Sequence, residues 1–63
     1  MNQRILIVVP AYNEEHTIAE VLLGLRQVAP ECDRVVVNDG SRDATGRIVA
    51  QHGEKQLRLP CNL

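Results

Sequence analysis

Two kinds of hydrophobic pattern alternate along this chain. The first is a continuous apolar run, Ile5–Val9, which is typical of a strand covered on both faces, and we expect Pro10 to end it. From Glu14 onwards the apolar residues recur at intervals of three and four, which predicts an amphipathic helix. These residues are Ile18, Val21, Leu22, Leu25 and Val28. Asn13 is the predicted cap of this helix, and Ala29-Pro30 is its predicted end.

The second half of the chain repeats the order of strand and helix. Asp33–Asn38 predicts a second strand, parallel to the first because a helix connects the two. A shorter helix follows, capped by Ser41 or Asp43 and ending near His52-Gly53. Its predicted inward-facing residues are Ala44, Ile48 and Val49. Lys55–Leu59 alternates polar and apolar residues, which predicts a third, half-covered strand.

These elements predict an α/β fold, a βαβαβ unit that forms half of a doubly wound, mostly parallel, Rossmann-like sheet. Such a unit leaves unpaired strand edges and an uncovered face. A chain of 63 residues with one Tyr and no Trp or Phe has little to bury, so we expect residues 1–63 to be an incomplete part of a larger domain. Gly46 costs its helix about 1 kcal/mol relative to alanine, which predicts close packing or a frayed first turn there.

Composition and charge narrow the classes of function. The chain is 44% hydrophobic and 24% charged, which is typical of a globular protein. A net charge of −1 without a basic run argues against a nucleic-acid partner. Cys32 and Cys61 fit no metal-binding spacing, so we expect both to be reduced, structural thiols. No apolar run approaches the length of about 18 residues that spans a bilayer, and we therefore expect a cytoplasmic location.

Polar residues follow both of the first two strands where they end. In a βαβ unit the parallel strands end at the same edge of the sheet, so the segments 10–14 and 38–41 are predicted to be neighbours and to form one site. The polar groups expected to converge there belong to Tyr12, Glu14, Asn38, Asp39 and Ser41.

The chemistry of these groups favours a nucleoside over a phosphate. Neither Gly-x-Gly-x-x-Gly nor the P-loop pattern is present. The carboxylates of Glu14 and Asp39 would repel a phosphate, whereas ribose hydroxyls and a ring N–H donate to carboxylates, and the ring of Tyr12 offers a stacking face. Arg42 and Arg47 could reach a diphosphate, but we expect them to lie on a solvated helix face.

Two motifs stand at the ends of the first two predicted strands. They are Val9-Pro10-Ala11-Tyr12-Asn13-Glu14-Glu15 and the run from Val36 to Thr45, which contains Asn38-Asp39-Gly40-Ser41. Together they resemble the start of the family 2, or GT-A type, glycosyltransferases. The resemblance covers essentially the whole chain and implies the N-terminal nucleotide-sugar-binding part of a glycosyltransferase domain. Many relatives have Asp-Asp-Gly-Ser, whereas this chain has Asn38 in the first position, and we expect Asn38 to fix the turn.

The resemblance implies that the base and ribose of a UDP- or GDP-sugar are held by Pro10, Tyr12, Glu14 and Asp39. We add Ser41 to these predicted contacts, although it suits a helix cap equally well. Each has a purely structural alternative, such as capping of local amides by Asp39, loop packing by Tyr12 or a helix-dipole interaction by Glu14.

The resemblance also implies a reaction in which a sugar passes to an acceptor such as a polyprenyl phosphate, a lipid or a polysaccharide. The family's Asp-x-Asp motif, which holds Mg²⁺ or Mn²⁺, and its catalytic base are absent from these 63 residues. We therefore expect no catalytic residue and no metal ligand here, and any membrane association to depend on other regions, at the cytoplasmic face.

Two alternatives stay open. One is a truncated nucleotide-binding fragment without catalysis. The other, more remote, is a haloacid-dehalogenase-like phosphatase, whose strand ends Asp-x-Asp-Gly-[Ser/Thr]. Val37 stands where that nucleophile would be, and a phospho-aspartate cannot form on valine.

Overall fold

The computed structural model describes residues 4–60, in which strands and helices alternate. The strands are β1 (Leu6–Ala11), β2 (Asp33–Asp39) and β3 (Lys55–Leu59), and the helices are α1 (Ile18–Val28) and α2 (Thr45–Gln51). The sheet order is β1-β2-β3, and both strand pairs are parallel. The predicted βαβαβ architecture is therefore confirmed. Cys32 is half-buried and free, whereas the expectation for Cys61 lies outside the described residues.

Both helices contribute to a core on one face of the sheet. Side chains alternate between the faces of a strand, so Val9 of β1 and its register partner Val36 of β2 share a face. The buried core consists of Val9, Ala11, Ile18, Leu22, Val36 and Val49. On the opposite face Leu6, Val8 and Leu57 are each more than half exposed. The predicted uncovered face is thus confirmed for the described part of the chain.

Strand β1 runs on through its proline. Pro10 pairs with Val37 in the ladder, so the prediction that Pro10 ends the strand is wrong. Since β1 lies at an edge of this sheet, a residue without an N–H is tolerated there. Strand β2 likewise extends one residue beyond its predicted end, to Asp39.

Helix α1 begins later than its apolar spacing predicts. It starts at Ile18 and not at Glu14, because residues 14–17 form a turn in which the amides of Thr17 and Ile18 both donate to the carbonyl of Glu14, at 3.0 and 2.8 Å. Helix α2 ends at Gln51, beside its predicted end near His52-Gly53, with His52 as the C-cap and a φ of 70° at Gly53. Val49 of α2 is buried as predicted, whereas Ala44 and Ile48 are half-buried.

An ion pair ties the start of β2 to the segment between α2 and β3. Nε of Arg34 donates to Oε2 of Glu54 at 2.6 Å, and the side chains are only 14% and 6% exposed. Arg26 of α1 reaches the same carboxylate at 3.4 Å and also donates to the carbonyl of His52. The hydrogen bond from Arg34 lowers the pKa of Glu54 below its ordinary value. This cluster fixes the amino end of the sheet, opposite the edge where the predicted loops meet.

Candidate functional site

Hydrogen bonds join the loop after β1 to the loop after β2. The amide of Asn13 donates to Oγ of Ser41 at 3.0 Å, and the amide of Arg42 donates to Oδ1 of Asn13 at 2.9 Å. Asn13 adopts a φ of 52°, in the left-handed region that asparagine tolerates better than most residues. The prediction that the two loops are neighbours is confirmed. The prediction that Asn13 caps its own helix is wrong, because its side chain binds the other loop.

The turn before α1 and the start of α2 exchange further hydrogen bonds. The amide of Glu14 donates to Oγ1 of Thr45 at 2.8 Å. The amide of Glu15 donates to Oδ2 of Asp43 at 3.2 Å, and the amide of Ala44 donates to Oε2 of Glu15 at 3.1 Å. Each loop thus satisfies backbone groups of the other, which makes the pair one structural unit.

Asp43 was one of two predicted caps for α2. Its Oδ1 accepts hydrogen bonds from the amide of Thr45, at 2.9 Å, and from the hydroxyl of the same residue. Because Ala44 occupies the position before the helix, Asp43 acts from one residue further out than a standard cap. Burial alone would raise the pKa of Asp43, but the hydrogen bonds from Thr45 and Glu15 outweigh it and leave the pKa below its ordinary value. Ser41, the other predicted cap, binds Asn13 instead.

Asn38 connects the end of β2 to its neighbours through a buried amide. It is only 2% exposed. Its Oδ1 accepts from the amide of Ser41 at 3.1 Å, and its Nδ2 donates to Oε1 of Gln56 at 2.8 Å. Nε2 of Gln56 in turn donates to the carbonyl of Gly46 at 3.2 Å. The prediction that Asn38 fixes the turn is confirmed, and the same side chain also links β2 with β3 and α2.

A cavity of about 460 Å³ opens at the carboxyl ends of the three strands. Its lining consists of Tyr12, Asn38, Gly40, Ser41, Arg42, Arg58, Leu59 and Pro60. The lining is mainly polar in character, with a phenol, an amide, a hydroxyl and two guanidinium groups. A cleft at this edge of a parallel sheet is where α/β proteins bind their ligands.

The predicted site residues divide into two groups. Tyr12, whose side chain is 45% exposed, and Ser41 line the cavity. Pro10, Glu14 and Asp39 lie close along the chain but outside the lining. Glu14 accepts a hydrogen bond from the Thr17 hydroxyl at 2.9 Å. Asp39 is the half-buried last residue of β2 and pairs in register with Leu59. Whether these five residues contact a nucleotide stays a prediction.

Arg58 is the cavity residue that sequence reasoning missed most clearly. We expected two loops at the site, but β3 runs parallel to β2 and therefore ends at the same edge. The signal was present, because the alternation in Lys55–Leu59 puts Arg58 on the same face as Gln56, and Arg58 pairs in register with Asn38. Counting three strand ends at this edge would have found it.

Neither a metal centre nor a membrane span is found in the part of the chain that the structure describes. Residues 4–60 contain no group of three or more His, Cys, Asp or Glu side chains that could hold a metal ion. We therefore assign no metal-binding role to a side chain of residues 4–60. Across the same residues, neither helix has the length and apolar character needed to cross a bilayer.

Comparison with known proteins shows similarity to a glycosyl transferase family and to individual transferases. The family model described as Glycosyl transferase family 2 matches residues 6–62. An undecaprenyl-phosphate 4-deoxy-4-formamido-L-arabinose transferase of Pseudomonas fluorescens is 38% identical over 58 residues, which are 86% of this chain and 17% of that protein. A 4,4'-diaponeurosporenoate glycosyltransferase of Staphylococcus aureus is 36% identical over 52 residues, which are 82% of this chain and 14% of that protein.

An uncharacterized protein of Methanocaldococcus jannaschii is 42% identical over 50 residues, or 79% of this chain and 21% of that protein. The chain thus spans about a fifth or less of the length of these curated relatives. No solved structure matches the chain significantly.

Proposed function

We propose, on the premise that this chain belongs to glycosyl transferase family 2, that it binds the nucleotide of a UDP- or GDP-sugar donor at the cavity between its strand ends. The observation that carries this proposal is the joining of the two motif loops, through Asn13 and Ser41, beside a polar cavity at the carboxyl edge of the sheet. Membership of this family leaves the phosphatase alternative without support.

Tyr12 and Asp39 are the residues to which we assign the nucleoside. Tyr12 is nearly half exposed and lines the cavity, so its ring offers a face for the base. Asp39 directly precedes Gly40 of the lining, and its carboxylate suits donors on the base or ribose. Ser41 is the third proposed contact, while Pro10 and Glu14 shape the loop that presents Tyr12.

The reaction proposed for the whole protein is transfer of the sugar to an acceptor, with a polyprenyl phosphate, another lipid or a polysaccharide as the acceptor class. The similarity to the P. fluorescens undecaprenyl-phosphate 4-deoxy-4-formamido-L-arabinose transferase supports a lipid acceptor. We place such a reaction at the cytoplasmic face of a membrane. Mg²⁺ or Mn²⁺ is part of this proposal for the whole protein, although residues 4–60 contain no group of three or more His, Cys, Asp or Glu side chains to hold it.

Isothermal titration calorimetry tests nucleotide binding directly. We expect wild-type chain to bind UDP or GDP and Asp39→Ala to lose about tenfold or more in affinity, since a charge-assisted hydrogen bond is removed. Asp33→Ala is the matched control, because it removes a carboxylate from the other end of the same strand, where the side chain is 47% exposed. Equal affinity of wild type and Asp39→Ala would remove Asp39 from the site, and absence of binding to either nucleotide would contradict the proposal.

A further inference from the structure

Arg58 projects along the helix-covered face of the sheet towards the cavity. A Cβ atom added at Gly46 would lie 3.1 Å from Nη2 and 3.2 Å from Cζ of Arg58, so the guanidinium group passes directly beside the backbone of α2. These distances are shorter than ordinary van der Waals contact. The missing side chain at Gly46 therefore provides the space through which Arg58 reaches the cavity lining.

The cavity lining is positively charged, although Asp39 stands next to it in the chain. Arg42 and Arg58 both line it, and none of the eight lining residues is an aspartate or a glutamate. Within residues 4–60, neither guanidinium group forms a hydrogen bond or an ion pair, whereas Arg4, Arg26 and Arg34 are each paired with a carboxylate. The amide of Arg42 donates to Asn13, which fixes the backbone of Arg42 beside the cavity, and the side chain is exposed.

Two guanidinium groups that line a cavity of about 460 Å³ are suited to an anion, such as one attached to the proposed nucleoside. We propose that Arg58, together with Arg42, binds the diphosphate of the donor nucleotide. Guanidinium groups bind phosphate oxygens through paired N–H donors, which gives both charge and orientation. This inference rests on the proposed function, and it assigns to β3 a role that the two motif loops do not supply.

The difference in affinity between a nucleoside and its diphosphate measures the proposed contact between the arginines and the diphosphate. We would titrate uridine and UDP, and in parallel guanosine and GDP, against the 63-residue chain by calorimetry in buffer with EDTA. The variants are Arg58→Gln and Arg42→Gln. Arg47→Gln is the matched control, because Arg47 is an exposed arginine of α2 that lies outside the cavity lining.

We expect wild type to bind the diphosphate at least tenfold more tightly than the nucleoside, with an affinity that falls as salt is raised. Arg58→Gln and Arg42→Gln should each lose most of this preference while nucleoside affinity is unchanged. Arg47→Gln should behave like wild type. Circular dichroism establishes that each variant is folded, and if Arg58→Gln is not, Arg58→Lys replaces it, with a smaller loss of preference because the charge is kept.

The outcomes separate this inference from the proposed function. If Arg58→Gln keeps the wild-type preference for the diphosphate, the role of Arg58 is wrong while nucleotide binding stands. A variant that weakens nucleoside and diphosphate equally would show a structural effect and would also overturn the inference. If wild type binds neither nucleoside nor nucleotide, the proposed function itself fails.

Discussion

Asn38 and Thr45 are buried polar residues whose side chains hold the site together. Asn38 is 2% exposed and Thr45 is fully buried, and both have hydrogen-bond partners on other elements. A buried polar group left without a partner costs about 1–3 kcal/mol, whereas a satisfied one specifies a single arrangement. The geometry of the cavity therefore depends on Asn38, which is part of its lining, and on Thr45, which is not.

Gly46 is the residue where this packing is most easily tested. A Cβ there would lie 2.9 Å from Nδ2 of Asn38, which is held by its hydrogen bond to Gln56. We expect Gly46→Ala to lower the free energy of unfolding by about 1–3 kcal/mol, because overpacking exceeds the gain in helix propensity. Urea denaturation measures the change.

Gly24 provides the control for Gly46. It lies in α1, and a Cβ added there would meet no atom within 4 Å. Gly24→Ala should therefore raise the free energy of unfolding by about 0.5–1 kcal/mol through helix propensity. If both substitutions stabilised the protein, the close approach of Asn38 and Arg58 to α2 would be wrong.

The elements were largely predictable from local pattern, and the contacts between them were not. Strand β3 and the end of α2 were predicted correctly because alternation and a glycine after the helix are local signals. The start of α1 was misplaced because Glu14 and Glu15 give their amides to Thr45 and Asp43, about thirty residues away. Arg58 was missed because the alternation in Lys55–Leu59 gives its face of the strand, whereas its place beside Asn38 follows from the pairing of β3 with β2.

The ion pair at the amino end of the sheet makes an element-scale prediction about pH. The hydrogen bond from Arg34 holds the pKa of Glu54 below its ordinary value of 4.5. A carboxylate whose pKa is lower in the folded state stabilises that state, and the contribution is complete at a pH above the pKa of the unfolded state. It is lost as the pH falls through the pKa of the folded state. We therefore expect stability to drop in acid below about pH 4.5, in part through Glu54.

Glu54→Gln removes this contribution. The variant should be less stable by about 1–2 kcal/mol at pH 7, because the buried side chain of Arg34 loses a charged partner, and its stability should fall less steeply in acid. Urea unfolding at several pH values measures both effects. Glu31→Gln, at an exposed position, is the control for the change in net charge. Parallel acid profiles for wild type and Glu54→Gln would show that this ion pair does not link β2 to the α2–β3 segment energetically.

On the scale of the whole molecule, the described fold has one packed face and one open face. All six buried core residues contribute to the layer between the sheet and the two helices. Leu6, Val8 and Leu57 of the opposite face are 54–58% exposed. Asn38 and Arg58 of the cavity lining lie on the packed face, whereas Leu59 of the lining and Asp39 alternate to the open face, so the cavity lies at the strand ends where the two faces meet.

Neighbouring valines of β1 test which face carries the stability. Val9 is 9% exposed on the packed face, and Val8 is 54% exposed on the open face. Threonine has nearly the shape of valine and suits strands equally well, so Val→Thr changes mainly the burial of a hydroxyl. We expect Val9→Thr to lower the free energy of unfolding by about 1–3 kcal/mol and Val8→Thr by less than about 0.5 kcal/mol. Equal losses in urea denaturation would mean that the open face is covered in solution, and sedimentation at several protein concentrations would then show whether a second copy covers it.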